Sequence, residues 1–164
     1  MLVGAVMRIL SRDNFITVFD LSGLSEMPRK QVQRYLRLAR QATLESNCET
    51  PMSATIIRGG SVVAVGYNRK GFRASSLHAE MDALRQLRRQ KRGPEGTDIH
   101  VFRFGASGEL RMSKPCRECF LALQESGISR IFYHNSEGTQ QIIKVSQADP
   151  EDFYEIHRSW HTEE

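Results

Sequence analysis

Long apolar runs and cysteine pairs are both scarce in this sequence. No apolar stretch approaches the roughly 20 residues that a membrane-spanning helix needs, and three cysteines among 164 residues are too few for a disulfide framework. Arg8 interrupts the opening segment, and no long apolar stretch with a cleavage site follows it. These absences exclude a membrane span and argue against secretion, so we expect an intracellular, cytoplasmic protein.

Repeats and low-complexity stretches are also missing, and the composition is that of an ordinary globular domain. Hydrophobic residues make up 40% of the chain and charged residues 26%. A chain of this length buries a core without covalent staples. We expect one domain over residues 28–147, preceded by an N-terminal extension, 1–27, and followed by an acidic C-terminal tail, 148–164, that packs on or near the domain.

The net charge of +4 is distributed unevenly along the chain. Eight Lys and Arg residues lie between Arg69 and Arg92, whereas six acidic residues lie between Gln147 and Glu164. A positive stretch of this kind attracts phosphates or nucleic acid, and it is at least as often a solvated helix face. For the run from Arg85 to Arg92, the solvated face is the better interpretation.

Apolar periodicity and turn residues predict an alternation of helices and strands. Gly59-Gly60 supplies the positive φ angles of a tight hairpin turn, and Gly93-Pro94 and Gly127 end two of the helices. The predicted helices are 28–46, 78–92 and 116–126, and the predicted strands are 15–19, 52–58, 61–67, 98–104, 129–134 and 140–146.

This order predicts an α/β fold, a three-layer α-β-α sandwich in which helices cover both faces of one mixed sheet. Five strands, from residue 52 onward, form the sheet. Only the short turn Asn135-Ser136-Glu137-Gly138 separates the last two of them. The last two strands are therefore expected to pair antiparallel.

Two short motifs carry the chemical information. His78-Ala79-Glu80 begins one predicted helix, and Pro115-Cys116-Arg117-Glu118-Cys119 begins the next. An H-x-E motif followed by P-C-x-x-C is the pattern typical of zinc deaminases that act on nucleobases. Each half alone would be weak, but both fall where helix N-termini are predicted independently, which raises the specificity of the match.

The residue types in these motifs suit one kind of metal site. Cys116 and Cys119 present two thiolates from one helix face, and His78 supplies a neutral imidazole. Three protein ligands leave tetrahedral Zn²⁺ one open position for a water molecule, whose pKa then falls to about 7. Glu80 is free to act as the general acid and base. A structural zinc site would normally have four ligands and no such carboxylate.

On these motifs the chain is identified as a member of the cytidine deaminase superfamily, with a likeness that runs from about Val32 to Val145. The resemblance implies zinc ligation by His78, Cys116 and Cys119, and proton transfer by Glu80. It also implies that Asn68 contacts the substrate sugar and that the backbone at Ala79 and the Ser113-Lys114-Pro115 turn line the base pocket. Homologous small deaminases commonly self-associate, so a homo-oligomer is a further expectation.

An antiparallel last strand resembles the branch of the superfamily that holds free-nucleoside cytidine deaminases and several toxin or editing deaminases. It therefore favours cytosine over adenine. Three functions stay open at this point: deamination of a cytosine-containing nucleoside or nucleotide, deamination of cytosine in single-stranded DNA or RNA, and zinc binding without catalysis.

Several further residues have two interpretations each. Tyr133 and His134, at the end of a strand, either stack on the base or pack in the core. The loop residues Arg69, Lys70 and Arg73 lead directly into His78 and are candidates for contacts to a phosphate. Cys48 is expected to be a free thiol, His100 a core or surface histidine, and Trp160, with His157 and His161, a surface-packed group in the tail.

Overall fold

The computed structural model describes residues 6–10, 16–20, 29–71 and 76–155. Within these ranges it has three α-helices: α1 (Arg29–Glu45), α2 (Ala79–Arg88) and α3 (Arg117–Glu125). The strands are β1 (Val6–Leu10), β2 (Ile16–Asp20), β3 (Met52–Arg58), β4 (Ser61–Tyr67), β5 (Arg69–Lys70), β6 (Ser76–Leu77), β7 (Asp98–Arg103), β8 (Arg130–His134) and β9 (Gln140–Lys144). None of these helices is long and apolar enough to cross a bilayer.

Five strands form one mixed sheet in the order β4-β3-β7-β8-β9. Strand β3 pairs antiparallel with β4 and β7, β7 runs parallel to β8, and β8 pairs antiparallel with β9. Gly138, at φ 78°, makes the tight turn before β9. The predicted five-stranded mixed sheet and its antiparallel last pair are confirmed.

The helices form the outer two layers of the predicted sandwich. Tyr35 and Ala39 of α1 pack with Ile57 and Phe102 on one face. On the other face, α2 and α3 pack against the opposite side chains of the same strands. That larger core includes Ile56, Leu84, Leu87, Ile99, Phe120, Leu123 and Ile131, all fully buried. Burying each such side chain stabilises the fold by about 1.5–3 kcal/mol.

Element ends differ from the predicted ones where tighter turns replace regular structure. Helix α2 ends at Arg88 and not near residue 92, because Arg89 and Gln90 donate to carbonyls only three residues back. Strand β9 ends at Lys144, and Val145–Gln147 forms a 3₁₀ turn. The described part of the N-terminal region contains an antiparallel pair, β1 with β2, of which only the second strand was predicted.

Gly66 in β4 allows α2 to lie directly against the sheet. A Cβ atom at this position would stand 2.4 Å from the Ala83 backbone nitrogen and 2.5 Å from the Ala79 carbonyl oxygen. Both obstacles are backbone atoms, which cannot rotate away. The absence of a side chain at Gly66 therefore fixes the position of the helix that begins with Ala79 and Glu80.

Replacing Gly66 by alanine is expected to destabilise the protein by about 2 kcal/mol or more, because α2 must move away from the sheet. The free energy of unfolding in urea measures this change. Gly93→Ala is the matched control, since a Cβ atom there meets nothing within 4 Å. Equal stability of the two variants would contradict the close contact.

Polar side chains are buried on the α1 face of the sheet. The hydroxyls of Tyr35, Ser53 and Thr55 and both ring nitrogens of His100 have no hydrogen-bond partner among the described residues. The His100 ring stacks on Phe132 at 4.0 Å. Of the two predicted placements of His100, core and surface, the structure shows the core. Among the described residues its ring nitrogens find none of the hydrogen bonds that a buried histidine usually makes.

Acidification is expected to destabilise the fold through this face. Burial lowers the pKa of His134 to about 4, and burial, then the charges of His134 and Arg130, lower that of His100. An unfolded histidine titrates near 6.5, so protons favour the unfolded chain below that pH. Stability is complete above about pH 6.5 and falls as the pH drops towards 4.

Between pH 7 and pH 5, His134 alone should remove about 2 kcal/mol from the free energy of unfolding. Urea titrations at several pH values measure this loss. The variant His134→Gln, which stays neutral, should show a smaller loss over the same interval. An unchanged free energy of unfolding in the parent protein would show that the ring is solvated.

Candidate functional site

The two sequence motifs lie at the N-termini of α2 and α3. His78 and Cys116 are the residues that immediately precede these helices, and both have extended backbones, with φ of −73°. Neither side chain caps its own helix. Their nitrogen and sulfur atoms therefore point to a common space, at which two positive helix ends converge.

The distances between these donor atoms are those of a zinc site. His78 Nδ1 lies 3.2 Å from Cys119 Sγ and 3.7 Å from Cys116 Sγ. Ligand atoms of the three residues all lie within 4.8 Å of one another. Tetrahedral zinc, with bonds of about 2.0 Å to nitrogen and about 2.3 Å to sulfur, holds such atoms roughly 3.5 Å apart. One nitrogen and two sulfur donors at these distances fit the ion.

The electrostatics of the three residues favour an anionic sulfur. The hydrogen bond from Cys119, with a further one to His78, lowers the pKa of Cys116 to about 4. The pKa of Cys119 is raised, because its thiol serves as the donor to Cys116 and is buried. The hydrogen bond to Cys116 raises the pKa of His78. A cation bound here replaces the shared protons and stabilises both thiolates.

Glu80 lies beside this donor set and outside it. Its side chain is only 3% exposed. Burial raises the pKa of the Glu80 carboxyl, and a hydrogen bond with Cys119 together with the charge of His78 opposes this increase. A carboxyl group with a raised pKa is able both to accept and to return a proton near neutral pH.

A cavity of about 320 Å³, the catalytic pocket, opens above the donor set. It brings together His78, Ala79, Glu80, Cys116, Pro115, Asn68 and Lys70, all of them sequence-predicted site residues. Thr50, Ser76, Lys114 and Tyr154 also line it. Cys48, at its edge, is a free thiol as predicted.

Asn68 holds the segment that forms one wall of the pocket. Its side-chain oxygen accepts hydrogen bonds from Ser46 Oγ and the Met52 backbone nitrogen, at 2.6 Å and 2.9 Å. Its amide nitrogen donates to the Thr50 carbonyl at 2.8 Å. Most of the hydrogen-bonding capacity of Asn68 therefore serves the protein itself.

Other predicted site residues lie elsewhere. Arg69 is bound by the buried carboxylate of Asp82, at 2.5 Å. Ser113 is buried and bridges β7 and β8, donating to the Val101 carbonyl and accepting from the His134 backbone nitrogen. Tyr133 packs against the core, with Lys114 over its ring.

Neither Ser113 nor Tyr133 is part of the described lining of the catalytic pocket. The His134 ring packs near Phe102, in the core on the α1 side of the sheet. Arg73, Trp160, His157 and His161 lie outside the described residues.

Tyr154 is a pocket residue that sequence reasoning missed. About half of the residue is exposed. Burial of the rest, followed by the negative charges of Cys116 and Glu80, raises the pKa of its phenol to about 12. The phenol is therefore neutral, and it lies near Cys116 and Glu80. Its neighbour Phe153 stacks on Phe120 of α3 at 4.0 Å, which anchors the segment in the core.

Arg117, in the spacer between the two cysteines, fixes this C-terminal segment. Its backbone nitrogen donates to the Tyr154 carbonyl, and its guanidinium bonds the Pro150 carbonyl and the carboxylates of Glu151 and Glu155. The sequence offered two signals for these ion pairs, the acidic composition of the tail and the single Arg of the spacer. It could not predict the pairing itself, because residues more than 30 positions apart share no local sequence pattern.

The fold and the site define a metal-binding α/β domain with a buried carboxyl group beside the ion. Residues 29–135 match the cytidine and deoxycytidylate deaminase zinc-binding region. Because the match covers more than half of the chain, the protein belongs to this family. The predicted membership and the predicted Zn²⁺ cofactor are thereby confirmed at the level of the family. No curated protein is similar enough in sequence to count as a relative.

Solved structures of deaminases have the same fold. The cytidine deaminase of Burkholderia pseudomallei superposes with a TM-score of 0.57 at 17% identity, over 70% of this chain and 92% of that chain. The apo dCMP deaminase of cyanophage S-TIM5 has a TM-score of 0.52 at 21% identity, over 68% of this chain and 89% of that chain. The same phage enzyme in complex with dCMP and dUMP is equally similar, with a TM-score of 0.52.

Proposed function

We propose that this protein is a hydrolytic deaminase that converts the cytosine of a nucleoside or nucleotide to uracil. Water replaces the amino group at C4, and ammonia leaves. The observation that carries the proposal is the position of Glu80, a buried carboxyl group that lines the same pocket as the predicted ligands His78 and Cys116. A structural zinc site has no use for that carboxyl group.

The residues of the site divide the chemistry among them. His78, Cys116 and Cys119 would hold the zinc ion, which supplies a Lewis acid that makes water a nucleophile at neutral pH. Glu80 accepts one proton from the attacking water and delivers it to the ring nitrogen N3. It then takes the second proton, from the hydroxyl added to C4, and delivers it to the amine, which leaves as ammonia while the C4 carbonyl forms. The raised pKa of Glu80 suits both steps.

The rest of the pocket positions the base. Ala79 and Pro115 line it next to the ligands, and the neutral Tyr154 forms the wall contributed by the C-terminal segment. Lys70, at the mouth, is half exposed and 4.0 Å from Glu49. It is the described basic loop residue best placed to contact a phosphate, since Arg69 is bound by Asp82.

Two observations support cytosine as the base. The antiparallel pairing of β8 with β9 is the topology that resembles cytidine deaminases. The cyanophage S-TIM5 enzyme, which shares the fold, has been solved with dCMP and dUMP bound. Because two thiols must stay reduced to bind zinc, an intracellular location is part of the proposal. Self-association, as in homologous small deaminases, is an expectation that light scattering would check.

The test is amine release from a panel of bases. Zinc-loaded protein is incubated with cytidine, deoxycytidine, CMP, dCMP and adenosine, and ammonia and the deaminated base are quantified. We expect at least one cytosine compound to be converted to its uracil product with release of ammonia, and we expect no ammonia from adenosine. Reaction with adenosine alone would overturn the assignment of the base. If the protein carries one zinc per chain and releases amine from none of these compounds, the assignment to a nucleoside or nucleotide substrate is wrong.

A further inference from the structure

A second cavity, of about 520 Å³, adjoins the catalytic pocket. We call it the arginine pocket, because Arg40, Arg103 and Arg111 line it together with Phe104. It lies between the end of α1, the start of β3 and the turn that follows β7. Nothing in the chemistry proposed above uses it.

The two cavities are neighbours by three observations. Thr50 lines both of them. Arg103, in the arginine pocket, is the register partner of Met52, which lines the catalytic pocket. The charge of Arg103 also acts on Tyr154, the phenol of the catalytic pocket. The two cavities therefore meet at Thr50, where a ligand longer than one nucleoside would pass from one to the other.

The charge balance of the arginine pocket favours an anion at Arg103. Two acidic residues at the cavity already face cations: Glu109 binds Arg111 at 2.6 Å, and Glu49 is 4.0 Å from Lys70. A third, Glu45, stands between the lining residues Leu44 and Ser46 and is exposed. Arg103 has no ion-pair partner among the described residues and is only partly buried. A guanidinium in this position is suited to a phosphate.

Phe104 adds a surface on which a base can stack. It is partly buried, lines the cavity and lies parallel to Phe102, with ring centroids 5.8 Å apart. Phe102 holds the ring from within the core. An arginine next to an aromatic ring is the combination that binds successive nucleotides of a single strand, the ring taking a base and the arginine its phosphate.

We propose that the arginine pocket binds the nucleotide adjacent to the target cytidine in a single-stranded nucleic acid, with Arg103 on the linking phosphate and Phe104 against the neighbouring base. This inference rests on the proposed function, because it extends the substrate of the same site. It extends the proposed substrate from a single nucleotide to a cytidine within a strand, for which the protein should be the more efficient enzyme.

The kinetic test compares substrates that differ only in the neighbouring nucleotides. Zinc-loaded protein is given dCMP, CMP and trinucleotides of DNA and of RNA with a central cytidine. We expect kcat/KM for one trinucleotide to exceed that for its mononucleotide by tenfold or more, and the two trinucleotides identify the sugar. Equal or lower values for both trinucleotides would overturn the inference and leave the proposed function intact.

Two variants test whether the preference for a trinucleotide arises from the arginine pocket. Arg103→Gln and Phe104→Leu should each lower the ratio of trinucleotide to mononucleotide kcat/KM by about tenfold. Arg85→Gln removes the same charge from an exposed position on α2 and should leave the ratio unchanged. If Arg103→Gln and Arg85→Gln behave alike, Arg103 does not contact the strand.

A binding measurement separates this inference from catalysis. The zinc-loaded Glu80→Gln protein is titrated against a fluorescein-labelled 10-nucleotide single strand at several salt concentrations. Loss of one phosphate contact in the double variant Glu80→Gln/Arg103→Gln should reduce the slope of log K against log salt by about 0.7. A slope that does not change would contradict the contact whether or not the protein is an active deaminase. If no cytosine compound is deaminated, the proposed function fails on its own.

Discussion

Replacing Glu80 by glutamine should lower kcat for cytosine deamination by about 10²–10⁴-fold. Glutamine keeps the shape of the side chain and its hydrogen-bonding reach but cannot accept a proton from water. Because Glu80 is not one of the three residues that form the metal-binding group, zinc content should stay at one ion per chain. Burial keeps bulk water from serving as the replacement base, which is why the loss should be large.

The measurement is steady-state kinetics on the best substrate of the panel, with zinc determined on the same sample. Glu118→Gln is the matched control: it is the same change, on an exposed residue in the spacer between the cysteines. It should alter kcat by less than about threefold, as is usual for a surface substitution. If Glu80→Gln retains full activity, another group moves the proton, and if it loses zinc, Glu80 is a ligand.

Replacing Cys116 by serine should abolish stoichiometric zinc binding and, with it, detectable deamination. The thiol of Cys116 has the lowered pKa of the pair and supplies the thiolate most readily. A serine hydroxyl does not ionise near neutral pH and is a poor ligand for zinc. With the native ligands, free zinc at 1,000 times its dissociation constant adds about 4 kcal/mol to stability, and the variant should lose most of that contribution.

Zinc per chain, measured after dialysis, and thermal unfolding with and without added zinc test this prediction. Cys48→Ser is the control for metal content, since Cys48 is not one of the three donors, and it should keep one ion per chain. Treating the parent protein with a chelator should reproduce the Cys116→Ser result, and added zinc should reverse it. A Cys116→Ser protein that retains one zinc would require a different ligand set.

The sheet and the donor set were the parts of the structure that local sequence could predict. Runs rich in β-branched and apolar residues, joined at Gly59-Gly60, define β3 and β4, and their predicted limits match the structure at both ends. The short turn at Asn135–Gly138 dictated the antiparallel last pair. The ligands were found because each motif begins a helix, so that its geometry depends on a few consecutive residues.

The parts that sequence could not predict depend on contacts between distant segments. The amide group of Asn68 is occupied by residues 46–52, and Arg69 is held by Asp82 from α2. No periodic pattern in the sequence predicts either of these contacts. Tyr154 enters the pocket because Phe153 stacks on Phe120. The expectation that the acidic tail packs on or near the domain did not identify which residues make the contact. Such contacts between distant segments determine which polar and charged groups remain available to bind a ligand.

Arg117 couples two separate stretches of sequence. It occupies one of the two positions between the zinc-binding cysteines and also bonds Pro150, Glu151 and Glu155. The spacer and the tail are therefore linked: a natural variant with a small or neutral residue in place of Arg117 would lose these side-chain bonds and keep the contact between Phe153 and Phe120 to hold its tail. Among natural variants of this protein, changes in the spacer should accompany changes in the acidic tail, and grafting either one alone into another deaminase should leave its pocket without the wall that Tyr154 provides here.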